Sequence, residues 1–260
     1  MNLTRQHVMG NSMLQEVEIN LGLRFTDKGI IATIETFFRG KDHFMLTLYE
    51  ELQLLSIHED KGIFIGSAID RLKPGLVGAI LAELAVNGKI CLSKNRRLQL
   101  VDDSPTNDPV LDGALADLKN SEKERKFGYW INTLNPKPEK LRKKITASLV
   151  QKGLLMQEDD NLVWVIPSPL HPEVKASTKY SVIQHLRGIV LAKEDAHPRE
   201  IAFLSLVSAC GLLDLVFLRD ERKVASQYIN ELAVYEAMKD PNLETIQEIA
   251  SAVASVEEEE

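Results

Sequence analysis

Aromatic residues are scarce in this chain, at 6% of its 260 positions, and only two residues are cysteine. With so few rings, a core has to be assembled from Leu, Ile, Val and Ala, an aliphatic mixture that leans toward helices. Cys91 and Cys210 are far apart and each lies in an apolar run. They read as two buried free thiols in a reducing compartment, not as a disulfide framework. No Gly-rich phosphate loop, paired-cysteine knuckle, zinc-protease helix or serine elbow is present. The six histidines are scattered, with no Cys or His partner at ligand spacing. No metal, no cofactor and no enzymatic role is therefore expected. The segment Met1–Leu14 has no continuous apolar core, which excludes a secretory signal.

Positive charge is also in deficit. Thirty-one Lys and Arg face 38 Asp and Glu, a net charge of −7. That balance opposes wholesale, charge-driven binding to nucleic acid or to an anionic membrane. Four of the acids form the run Glu257–Glu260, an acidic tail, so the body is closer to neutral than the total. The strongest apolar stretch, Ile201–Leu218, approaches the ~20 residues that a bilayer span needs. Asp214 lies well inside it and would cost roughly 2.5–3.5 kcal/mol at a bilayer centre. Ser205, Ser208 and Gly211 dilute it further. A buried central helix, or two helices broken near Gly211, is the expectation for a soluble protein.

What the chain does have is helical grammar. At about 150 residues per domain its length permits one large domain, and 44% hydrophobic with 27% charged residues is a folded, soluble composition. Phe44, Leu48, Leu52 and Leu55 make an amphipathic stripe over Phe44–Ile57. Lys73-Pro74-Gly75 reads as a break before a second, very apolar helix, Gly75–Asn87, capped by Gly88. Ile90–Leu92 and Arg97–Val101 flank the polar turn Ser93–Arg96, a β-hairpin pattern. The same order recurs: a helix over Glu139–Lys152, Gly153 as cap, then a hairpin from Leu154–Gln157 and Leu162–Ile166. Helices are expected over Val110–Lys119, Lys126–Leu134, Lys179–Ala192, Arg199–Leu218, Glu221–Met238 and Asn242–Val256. Pro109 sits at a first helical position. Asp108 and Asp112, four apart, read as helix-start charges, and the adjacent Glu50 and Glu51 as part of a solvated face.

One local excess of positive charge stands out. Lys137, Lys140, Arg142, Lys143 and Lys144 fall within eight residues at the start of the Glu139–Lys152 helix. Cations there oppose the helix dipole, and an anion would resolve the conflict. A solvated basic face is the alternative. Lys89, Lys94, Arg96 and Arg97 form a second basic cluster on the first hairpin.

An ordered set of segments carries a family resemblance. These are Leu46–Glu51, Gly78–Ala85 with Gly88–Ile90, Pro105–Asp112, Trp130 with Ile131, Leu149–Gly153, and the run around Ala202–Phe217. Together they resemble the Golgi phosphoprotein 3 family, which includes the vacuolar sorting homologue, and they cover about residues 44–235. The resemblance implies a mainly α fold: a single helical-bundle domain with outer amphipathic helices and two short β-hairpins. On that reading the chain divides into a partly ordered N-terminal extension (1–43), the helical domain (44–256) and the acidic tail (257–260).

The resemblance further implies a cytoplasmic, peripherally membrane-associated adaptor that binds phosphatidylinositol 4-phosphate, located at the Golgi in a eukaryotic cell. Its family headgroup pocket uses a Trp and three Arg. Arg142, seven residues before Leu149, matches one of them; Glu139 and Val77 stand at the other two Arg positions, and no aromatic lies between Gly66 and Val77. The expected ligand is an anionic phospholipid headgroup, phosphoinositide-like, held by Arg142, Lys143, Lys144 and Lys140. Trp164 and Leu170, on or after the second hairpin, are the expected membrane contacts, since Trp favours the water–lipid interface. A core Trp packing the hairpin on the bundle is the rival. Cytosolic tails of membrane proteins and a second copy of the chain are further expected partners. Two other functions use the same scaffold: a winged-helix-like nucleic-acid binder, disfavoured by the net charge, and a protein–protein adaptor without lipid binding.

Overall fold

A computed structural model describes residues 46–58, 64–134, 138–158, 162–164 and 172–257. The chain divides into two units, Met1–Leu46 and Thr47–Glu260, and every element named below belongs to the second. The N-terminal extension and residues 258–260 of the acidic tail therefore lie outside the described residues.

Nine α-helices are present among the described residues: α1 (Leu48–Leu55), α2 (Gly66–Val86), α3 (Pro109–Lys119), α4 (Phe127–Thr133), α5 (Pro138–Gln151), α6 (Pro172–Arg187), α7 (Pro198–Ala209), α8 (Arg222–Ala237) and α9 (Pro241–Glu257). Two antiparallel hairpins join them. β1 (Ile90–Leu92) pairs with β2 (Leu98–Leu100) in the register Ile90↔Leu100, and β3 (Met156–Glu158) pairs with β4 (Leu162–Trp164) in the register Met156↔Trp164. The mainly α class with two short hairpins is thus the observed one.

The centre of the bundle is α2. From Leu72 to Ala85 nearly every side chain is buried, and α1, α7 and α9 pack around it. Close packing depends on two glycines. A Cβ at Gly75 would stand 2.5 Å from Cys210 Sγ, and one at Gly78 would stand 2.5 Å from Val253 Cγ2. Neither contact is sterically possible, so the helices cross at a distance only glycine allows.

The expected break at Lys73–Gly75 is overturned, because α2 runs straight through Pro74. Proline there removes one i→i−4 bond and costs ~3 kcal/mol in an isolated helix. Ala68 and Leu72, both fully buried on the preceding turns, hold those turns helical by tertiary packing. The apolar run from Ile201 splits as the second alternative had it. α7 ends at Ala209, Gly211 adopts φ +61°, and a short 3₁₀ turn over Leu213–Leu215 leaves Asp214 exposed. No helix among the described residues is long and apolar enough to cross a membrane. Gly88 and Gly153, at φ +68° and +69°, take the left-handed positions expected of helix ends. Cys210 is buried as expected, whereas Cys91 is only half-buried; both thiols are free.

Candidate functional site

The basic helix α5 is fixed in place by α1. Gln53 Nε2 donates to Thr146 Oγ1 at 2.8 Å and to the Arg142 carbonyl at 3.1 Å. Glu50, fully buried, accepts from Ser148 Oγ and from Lys152 Nζ, both at 2.6 Å, and from the Thr47 amide at 2.8 Å. Buried charge is stable only when paired and hydrogen-bonded, and Glu50 meets both conditions. Its neighbour Glu51, 6% exposed, lies beside Arg199 Nη2 at 3.5 Å. Arg199 Nη1 donates to Glu83 at 2.7 Å, so Glu83 is the closer partner. Burial pushes the Glu51 carboxyl up to about 8, against the opposing pull of Arg199.

The expectation of a solvated face at Glu50 and Glu51 is therefore wrong. All eight residues of α1 are buried, so the helix has no solvent face on which to put them. Asp108, by contrast, is a cap: its Oδ1 accepts from the Val110 and Leu111 amides that open α3. Asp112 accepts from the Thr106 amide and hydroxyl, each at 2.7 Å, which holds its carboxyl below the usual range.

Helical geometry divides the basic cluster between two flanks of α5. Lys140 and Lys144, one turn apart, border a cavity of about 520 Å³. Its walls are apolar, from Val77 and Ile80 of α2, Pro109, Val110 and Ala114 of α3, and Leu134 and Leu141, with Asp117 the one acid. Arg142 lies on the other flank, half-buried, its Cζ 5.3 Å from the centre of the Phe64 ring. Lys143 is exposed. Two of the four residues thus share a concavity and Arg142 does not line it. Val77, where the resemblance implies an Arg, is a wall of that same cavity, and Ala68, in the segment where it implies an aromatic, is fully buried. On the second hairpin, Trp164 closes the β3–β4 register; its side chain and the whole of Leu170 lie outside the described residues.

Half of the first-hairpin cluster is paired within the protein. Lys89 is buried and pairs with Asp102 at 2.6 Å, and Arg96 pairs with Glu248 and Glu244. The hydrogen bond from Lys89, with those from Ser104, draws the Asp102 carboxyl down to about 2. Among the described residues, no group of three or more His, Cys, Asp or Glu side chains could hold a metal ion.

Sequence reasoning missed the cavity and the buried carboxylates. Their partners, Ser148, Lys152, Arg199 and the α3 wall, lie far along the chain from α1 and α2, where no local periodicity reports them. A helical bundle carrying a basic helix beside an apolar-floored cavity defines the class. A family model described as Golgi phosphoprotein 3 (GPP34) matches residues 48–253, and the chain belongs to that family. The vacuolar protein sorting-associated protein 74 of Eremothecium gossypii is 27% identical over 184 residues, covering 61% of this chain and 55% of the relative. The chain thus spans about half the length of that curated relative.

Proposed function

We propose that this protein is a peripheral membrane adaptor that binds anionic phospholipid headgroups, phosphatidylinositol 4-phosphate among them, through the basic face of α5. The observation that carries the proposal is the pairing of Lys140 and Lys144 with an apolar-walled cavity. Ammonium groups at the rim suit a phosphate, and the apolar wall suits the glycerol and acyl carbons below it. Arg142 and Lys143 add positive potential from the other flank and the crest of the helix. The reading assigns no reaction to the chain.

Magnitudes set the mode of binding. A basic residue near an anionic leaflet contributes about 1 kcal/mol. Four of them give about 4 kcal/mol, equivalent to a dissociation constant near 1 mM. Such binding is weak, reversible and screened over about 8–10 Å at physiological salt. A second contact is needed for residence on a membrane, and Trp164 with Leu170, or a second copy of the chain, would supply it. Membrane-protein tails are the cargo this reading assigns to the adaptor, on a cytoplasmic membrane face and at the Golgi in a eukaryotic cell.

The nucleic-acid alternative is weakened at the first hairpin, because two of its four cations, Lys89 and Arg96, are committed to internal carboxylates. Flotation with vesicles tests the proposal. Binding to phosphatidylcholine vesicles doped with phosphatidylinositol 4-phosphate, falling steeply as salt rises, is the expected result. Equal recovery with pure phosphatidylcholine vesicles, at any salt, would contradict it.

A further inference from the structure

A second basic concavity lies away from α5. It has a volume of about 550 Å³ and is lined by Arg97, Arg125, Lys126 and Tyr129 on one side and by Ser251 and Ser255 of α9 on the other. None of its lining residues belongs to α5.

Local structure brings the three cations together. The Leu98 amide donates to the Arg125 carbonyl at 2.9 Å, which ties the segment before α4 to the start of β2. Arg97, next to Leu98, donates from Nη1 to the Glu124 carbonyl at 2.9 Å, leaving its remaining N–H groups open. Arg125 lies with Cζ 5.1 Å from the centre of the Tyr129 ring, which orients its guanidinium. Lys126 directly precedes the first turn of α4.

This cluster differs from the others in its ion pairing. Arg96, Arg187 and Arg199 each face a carboxylate. Arg97, Arg125 and Lys126 have no carboxylate partner among the described residues, and the acid in the cavity wall, Glu248, is taken by Arg96. Three uncompensated cations in one concavity repel each other, and a bound anion relieves that repulsion. A polyvalent oxyanion that accepts several charge-assisted bonds gains most.

We propose that this cavity is a second anion site, which takes a phosphate-bearing ligand on Arg97, Arg125 and Lys126. The phosphate can be that of a lipid headgroup or of a soluble phosphate compound, since both present the same oxygens. The test is calorimetric titration of the full chain with inorganic pyrophosphate at constant ionic strength. Saturable binding is expected, weakened about tenfold or more in the R97Q/R125Q/K126Q variant, since one charge-assisted bond alone is worth about that factor. The K140Q/K144Q protein, which lacks the α5 ammonium groups, is expected to retain the component of pyrophosphate binding that the triple variant loses. All three proteins are first matched by circular dichroism and thermal melting.

Flotation with phosphatidylinositol 4-phosphate vesicles then separates the sources. Loss of flotation in the triple variant assigns the site to a lipid headgroup, and unchanged flotation assigns it to a soluble phosphate. Absence of saturable pyrophosphate binding, or equal binding by the triple variant, overturns the inference and leaves the α5 proposal standing. Loss of pyrophosphate binding in K140Q/K144Q alone also overturns it.

Discussion

Glu50 and Glu51 are chain neighbours buried in different networks, and each makes a separate prediction. Glu50 holds α5 to α1 through Ser148 and Lys152. Glu50→Ala removes both carboxylate oxygens and takes this carboxylate from Lys152, which is partly exposed. The expected loss is about 2–4 kcal/mol, short of the full cost for a wholly buried pair. Denaturant melts measure it, and the same variant is expected to loosen the basic helix and weaken vesicle binding.

Glu51 makes its prediction through pH. Its folded-state carboxyl titrates near 8, above the ordinary value of 4.5, so the folded state binds the extra proton between those limits. Stability from this group is full below about pH 4.5 and is lost as pH rises through about 8. Glu51→Gln, which keeps the shape and removes the titration, is expected to flatten the pH dependence of Tm between pH 5 and 9. It should be the more stable protein at the alkaline end. A parallel pair of curves would mean that Glu51 is charged throughout. Neither residue's role was legible locally, because a run of adjacent acids reads as solvent-facing unless the helix is known to be buried on every side.

At the scale of elements, local chemistry and tertiary packing had different visibility. The Asp108 cap, the left-handed Gly88 and Gly153, and both hairpins depend on residues a few positions apart, and the sequence patterns identify them. Pro74 does not follow its local rule. The bundle supplies enough burial around Ala68 and Leu72 to carry a proline through α2, and that support comes from α1, α7 and α9, outside any sequence window. The close crossing of α2 with α9 is likewise invisible in one segment. It predicts that Gly78→Ala destabilises by about 1–3 kcal/mol, the usual cost of an added methyl in a packed core. For a chain of this size that lowers Tm by about 2–4 °C per kcal/mol. Val253→Ala in the same protein makes room and is expected to recover part of the loss, a coupling that a double-mutant cycle reads directly.

For the whole molecule, the acidic balance and the basic function are reconciled by location. Negative charge is spread over the body and the tail, whereas α5 and the Arg97–Arg125–Lys126 cavity are local groups of cations without an ion pair among the described residues. The scarcity of aromatics has a matching consequence: no aromatic lies between Gly66 and Val77, the ring beside Arg142 is Phe64 just before that segment, and the α5 cavity is walled by aliphatic side chains and lysines. Family membership and the basic helix were legible in the sequence; which flank of that helix borders the cavity was not, because it depends on which neighbours α5 meets. The most direct test is co-flotation with phosphatidylinositol 4-phosphate vesicles at low salt, comparing the parent with K140Q/R142Q/K143Q/K144Q. The parent is predicted to float and the variant, equally folded, to remain at the bottom of the gradient. Flotation of the variant to the same extent as the parent would contradict the assignment of α5 as the membrane-reading element.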